Sequence, residues 1–116
     1  MSNSQEVASF GKELCRFIKE ASISHVDFYR SIGITKPYFY DICSGKTNPP
    51  PAELQIRMVE FLNLVEGDRS LFFELAGRER NETPVDIAWY LSKNKEAKNM
   101  LREEINYEVL FGHELH

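Results

Sequence analysis

The chain has 116 residues, 42% of them hydrophobic and 28% charged, which suits one compact domain with a small appendage and excludes a wholly disordered chain. Fourteen Lys and Arg against eighteen Asp and Glu leave a formal charge of −4. No apolar run approaches the ~18 to 20 residues that cross a bilayer, and the Met-Ser-Asn-Ser start lacks the basic and apolar stretches of a signal peptide, so no membrane partner and a cytoplasmic location are expected.

Apolar residues recur at three and four positions, with no sustained alternation, which predicts an all-α fold. A first helix is expected over about Phe10–Ala21, where Phe10, Leu14, Phe17, Ile18 and Ala21 form one stripe; residues before Glu6 read as a loose tail. Ser24 is an N-cap, with Asp27 as its capping-box partner, for a short helix that stops at Gly33. After the turn Gly33-Ile34-Thr35 the next helix covers about Lys36–Ser44 and ends at Gly45. Pro37 suits a first helical position and disfavours α geometry before it, so the cap falls on Lys36 or Thr35.

Lys46 to Pro51 is a polar, then rigid connector. A fourth helix over about Pro51–Asn63 is expected to turn Leu54, Met58, Phe61 and Leu62 inward. A fifth, about Asp68–Ala76, carries Leu71, Phe72 and Leu75 and ends at Gly77, with Arg78–Glu82 as a charged linker. Thr83-Pro84-Val85-Asp86 reads as a cap with proline first in a sixth helix reaching about Leu91, and a last helix should run from about Lys95 to Leu110.

The charge is unevenly spread. Residues 1–60 hold seven basic and seven acidic side chains and residues 61–116 seven and eleven, so any contact with a polyanion belongs to the first half. Cys15 and Cys43 each sit inside an apolar helical pattern and read as reduced thiols packed as small hydrophobes, with no redox role.

The most informative stretch is Ile23 to Pro49. Its Ser24 cap, the Gly33-Ile34-Thr35 turn, the inward pair Phe39 and Ile42, and the closing Gly45-Lys46-Thr47-Asn48-Pro49 together resemble the helix-turn-helix of the xenobiotic-response-element family, the lambda-repressor-like DNA-binding domains. The resemblance implies a five-helix domain over about residues 8–77, followed by a C-terminal helical extension over 83–111. It further implies a non-enzymatic transcriptional regulator that lays the helix Lys36–Ser44 in the major groove of double-stranded DNA.

Carried over residue by residue, the brace-helix phosphate position falls on His25, and the base-reading positions fall on Lys36, Pro37 and Asp41, with Tyr40 and Ser44 beside them and Tyr38 or Tyr40 able to bond a phosphate or pack on a thymine methyl. Lys46, Thr47 and Asn48 match positions that hold phosphates, helped by exposed backbone N–H groups. Pro37 and Asp41 depart from the usual polar set; Lys36 suits guanine or a phosphate, whereas Asp41 can only accept, chiefly from cytosine.

Between Ser24 and Asn48 three cations oppose two carboxylates, a net of +1, so one copy makes few phosphate contacts and a homodimer is expected. The segment Pro84–Phe111 is the natural dimer contact, through Trp89, Tyr90, Met100, Leu101 and Ile105, unless it folds back on its own core. The competing reading is an antitoxin-like module that keeps this fold and turns its aromatic third helix on a protein partner.

Enzyme chemistry finds no footing. Ser44-Gly45-Lys46-Thr47 has Tyr40 where a phosphate loop needs its first glycine, and Gly112-His113-Glu114-Leu115-His116 spaces its histidines three apart, unlike a zinc-binding H-E-x-x-H. No metal and no cofactor is expected.

Overall fold

The computed structural model describes residues 8–112; the expected tail before Glu6 and the His113/His116 pair lie outside them. The described residues form eight helices and no strand: α1 (Phe10–Glu20), α2 (His25–Ile32), α3 (Lys36–Ser44), α4 (Ala52–Leu62), α5 (Glu66–Arg80), α6 (Val85–Lys93), α7 (Lys95–Glu104) and α8 (Tyr107–Leu110). They pack as two units, one up to Val85 and one from Asp86.

The first unit has a single core to which every one of α1 to α5 contributes. Phe10, Leu14, Phe17 and Ile18 of α1, Phe28 and Ile32 of α2, and Phe39 and Ile42 of α3 are all buried. Burying a side chain of this size stabilises by about 1.5–3 kcal/mol, so the i, i+3, i+4 spacing of these residues is what folds the three helices together. Phe28 meets Phe39 at 5.7 Å between ring centroids, and Phe10 meets Phe72 of α5 edge-on at 4.9 Å.

Caps set the starts of the first three helices. The Ser9, Ser24 and Thr35 hydroxyls accept from the amides of Lys12, Asp27 and Tyr38. The cap of α3 is therefore Thr35, and Lys36 is its first helical residue with Pro37 second. Gly33 closes α2 at φ 87°, a left-handed conformation that lets its N–H return to Tyr29 and Arg30 carbonyls and turns the chain within three residues. Arg57 of α4 donates to the Ile32 carbonyl at 2.8 Å, satisfying one of the orphan acceptors at that helix end.

Several expected boundaries move. Ala21 is the exposed C-cap of α1 and not a core residue. In α4 the buried residues are Gln55, Met58, Val59 and Leu62, while Leu54 is half-buried and Phe61 is 40% exposed. The helix starts at Ala52 with Pro51 as its cap residue, and Gln55 turns inward, donating to the Pro50 carbonyl at 2.7 Å.

Gly77 does not end α5. It lies buried inside a helix that starts at Glu66, runs on to Arg80 and closes at Asn81, itself left-handed at φ 57°. The glycine serves a close approach instead: a Cβ there would sit 2.9 Å from the Glu82 carbonyl oxygen and 3.0 Å from the Pro84 nitrogen, where the chain folds back. The expected linker from Arg78 is thus helical through Arg80, whose guanidinium donates to the Pro49 carbonyl and to Glu82.

Pro84 precedes α6 and is not its first helical residue, and α6 extends into the second unit as far as Lys93. Asn94 caps α7, its Oδ1 accepting from Ala97 at 2.8 Å while its amide nitrogen donates to the Tyr90 hydroxyl at 2.8 Å. The long helix expected from Lys95 to Leu110 is broken at Ile105, which is extended at ψ 128°; Asn106 then caps the single turn α8. An asparagine that can bond the Val109 amide offers the backbone an alternative to helix continuation. No described residue from Asp86 onward is buried. No helix among the described residues is long and apolar enough to cross a membrane.

Candidate nucleic-acid interface

The outer side of α3 follows from helix arithmetic. At 100° per residue Lys36, Tyr40, Ser44, Pro37 and Asp41 fall within an arc of roughly 140°, opposite Phe39 and Ile42 in the core. Lys36, Pro37, Tyr40 and Ser44 are exposed and Asp41 is half-buried, whereas Tyr38 is half-buried against the core. The face that remains is short, polar at both ends and aromatic in the middle.

His25 opens α2 and is brought against this face. Its Nδ1 lies 3.3 Å from the Tyr40 hydroxyl, and its ring meets Phe39 and Tyr40 edge-on at 5.2 and 5.8 Å between centroids. The imidazole is half-buried and held by its aromatic neighbours, leaving Nε2 as its second polar atom. His25 therefore orients Tyr40 as well as standing at a helix N-terminus, where backbone N–H groups favour an anion.

The turn after α3 behaves differently from expectation. The backbone N–H groups of Lys46 and Thr47 both donate to the Asp41 carbonyl, at 2.9 and 3.2 Å, and the Ser44 hydroxyl donates to the same oxygen at 3.3 Å. Those amides close the helix end in a C-cap and are not held out for a ligand. What Lys46 and Asn48 present is their exposed side chains, with Thr47 half-buried between them.

The ten expected contact residues are thus gathered on α3, its C-terminal turn and the first residue of α2, with Tyr38 directed mainly to packing. The five expected dimer residues belong to the second unit, where Trp89, Tyr90, Met100, Leu101 and Ile105 are 42–64% exposed. Tyr90, Met100 and Leu101 line an open cleft of about 400 Å³ together with Leu91, Ala97, Glu103 and Glu104. Among the described residues no three His, Cys, Asp or Glu side chains converge as metal ligands.

Two relationships lay beyond sequence reasoning. Glu79 reaches from α5 to accept from the Phe10 amide at 2.8 Å, across 69 positions of chain. Cys15 and Cys43, whose sequence patterns give no sign of each other, face one another across the α1–α3 contact, and burial first, then the neighbouring Cys15, pushes the Cys43 thiol up in pKa.

Comparison with protein-family models, with curated proteins and with solved structures finds no match to this chain.

Proposed function

We propose that the protein is a sequence-specific, non-enzymatic transcriptional regulator of the lambda-repressor-like helix-turn-helix type, reading the major groove of double-stranded DNA with α3 as a homodimer. The observation that carries this reading is one exposed arc of a capped nine-residue helix, Lys36, Pro37, Tyr40 and Ser44, joined through a three-residue turn to α2. Such a helix is about 14 Å long, commensurate with a groove about 12 Å wide. Lys36 and Lys46 supply cations at its two ends, and His25 holds the Tyr40 hydroxyl toward the same side.

The dimer is supported by the second unit, whose exposed apolar side chains exceed what a lone helical appendage should leave in water. Two copies about 34 Å apart along the duplex would double a phosphate contact set that is small in one copy.

Asp41 on the arc, within a stretch of net charge +1, favours the second reading, a module that uses α3 on a protein partner. A random double-stranded oligonucleotide pool, selected at two salt concentrations, separates the two. Enrichment of a palindrome that is lost with Lys36→Ala and Lys46→Ala supports the regulator; no enrichment at either salt, with a protein co-purifying, overturns it.

A further inference from the structure

The contact between α1 and α3 is unusually close at one point. A Cβ on Gly11 would lie 2.3 Å from the Cys43 carbonyl oxygen and 2.7 Å from that of Ile42, so the helix backbones approach where α1 has no side chain. Cys15 stands one turn further along α1 on the same face as Gly11, which sets it beside Cys43 across the α1–α3 contact, near enough to help raise the pKa of the Cys43 thiol. These are the two cysteines of the chain, both reduced and both only partly buried. Packing alone requires neither a thiol on each helix nor the two thiols side by side.

We propose that Cys15 and Cys43 form a peroxide-responsive pair that closes into an intramolecular disulfide and ties α3 to α1. Burial first, and the neighbouring Cys15 second, disfavour the Cys43 thiolate, and the first attack is assigned to Cys15. The Cys15 sulfur attacks one peroxide oxygen; the O–O bond breaks, water leaves with the thiol proton, and Cys15 becomes a sulfenic acid. The Cys43 sulfur then attacks the Cys15 sulfur, the S–O bond breaks, and hydroxide departs with the Cys43 proton as the second water. The two thiols lose two electrons and two protons, and one hydrogen peroxide becomes two waters.

The crosslink spans Cys15 to Cys43 and encloses α2, the turn and most of α3. A loop of this length removes freedom from the unfolded chain, provided the folded geometry already suits the bond. The outer arc of α3 would then be held by a covalent tie to α1. The covalent step does not depend on what that arc binds.

The full chain is treated with hydrogen peroxide, alkylated with N-ethylmaleimide and weighed intact. The expected product is a monomer lighter by two hydrogens with no adduct, which dithiothreitol returns to a form carrying two adducts. Its thermal midpoint should rise by on the order of 10 °C. In Cys43→Ser, peroxide should leave a Cys15 sulfenic acid that dimedone traps, with no rise in midpoint; Cys15→Ser should acquire neither the crosslink nor the rise. Addition of oxygen to the wild type without loss of both free thiols, disulfides between chains, or a crosslinked monomer with a lowered midpoint would each overturn the proposal.

Discussion

Gly11 and Cys43 are separated by less than a side chain. The α-hydrogen side of Gly11 faces the Cys43 carbonyl so closely that a methyl group would overlap it at 2.3 Å. Alanine ordinarily improves a helix interior by about 1 kcal/mol over glycine. Here the obstacle is backbone on both sides, which cannot swing away as a side chain can. Gly11→Ala is expected to destabilise the first unit by about 2–3 kcal/mol in urea unfolding, through forced separation of α1 and α3. An unchanged or raised midpoint would contradict the close approach.

Gly77 poses the same question in α5, where an added methyl carbon would meet the Glu82 carbonyl oxygen at 2.9 Å and the Pro84 nitrogen at 3.0 Å. Gly77→Ala should lower stability by about 1–2 kcal/mol. Asn81→Gly, at the left-handed cap just beyond, should be neutral or slightly favourable, since glycine adopts φ 57° without strain. A midpoint that falls in the first variant and holds or rises in the second distinguishes a packing glycine from a terminating one.

Glu79 caps α1 from the far side of the fold by accepting the Phe10 amide proton at 2.8 Å. Removing that acceptor with Glu79→Ala should cost about 1–2 kcal/mol, and Glu79→Gln, which retains an acceptor oxygen without charge, should cost less. Hydrogen exchange at the Phe10 amide should accelerate in both, most in the alanine variant.

Arg80 holds the Glu82 carboxyl below its ordinary pKa of 4.5, first by their side-chain hydrogen bonds and also by charge. Because the folded value is the lower one, the contribution is present above the unfolded pKa and is lost as pH falls through the folded one. Glu82 is exposed, so the effect is small. An NMR titration should place the Glu82 midpoint below 4.5 in the wild type and move it up in Arg80→Met.

Tyr40 and His25 share a 3.3 Å contact beside the proposed groove-reading arc. Tyr40→Phe keeps the ring and its packing on Phe39, yet frees the imidazole. Under the proposed function it should weaken binding to a selected DNA site about tenfold with little change in melting temperature. Lys46→Ala should instead lower the slope of log affinity against log salt by about one, whatever the sequence bound. Equal loss of sequence preference in both variants would argue against these separate roles.

How much was legible varies with the kind of interaction. The starts of α2 and α3 could be placed to within a residue because Ser24, Thr35, Gly33 and Gly45 act on their own neighbours, and local chemistry is written in local sequence. The inward set of α1 was equally plain from its stripe, except that Ala21 falls outside it as the exposed C-cap. Rotation of α4 was not: Leu54 and Phe61 satisfy a helical pattern as well as Gln55 and Val59 do, and which arc faces the core is a matter of packing against the other helices and of the Pro50 carbonyl that Gln55 meets. The candidate interface was identified as a segment, yet the occupancy of the Lys46 and Thr47 amides by Asp41 depended on how the helix end closes.

By itself, then, the order of residues determined an all-helical chain, its first three helices and the side of each that must leave water, since hydrophobic periodicity and capping operate over three or four positions. Only the tertiary structure decided that Gly11 admits the end of α3, that Gly77 is passed rather than reached as an end, that Glu79 serves the start of α1, and that two distant thiols are neighbours. Most of those relationships join residues about thirty to seventy positions apart, which leaves no mark on any local pattern, and they exist because closing one core brings the helix faces together.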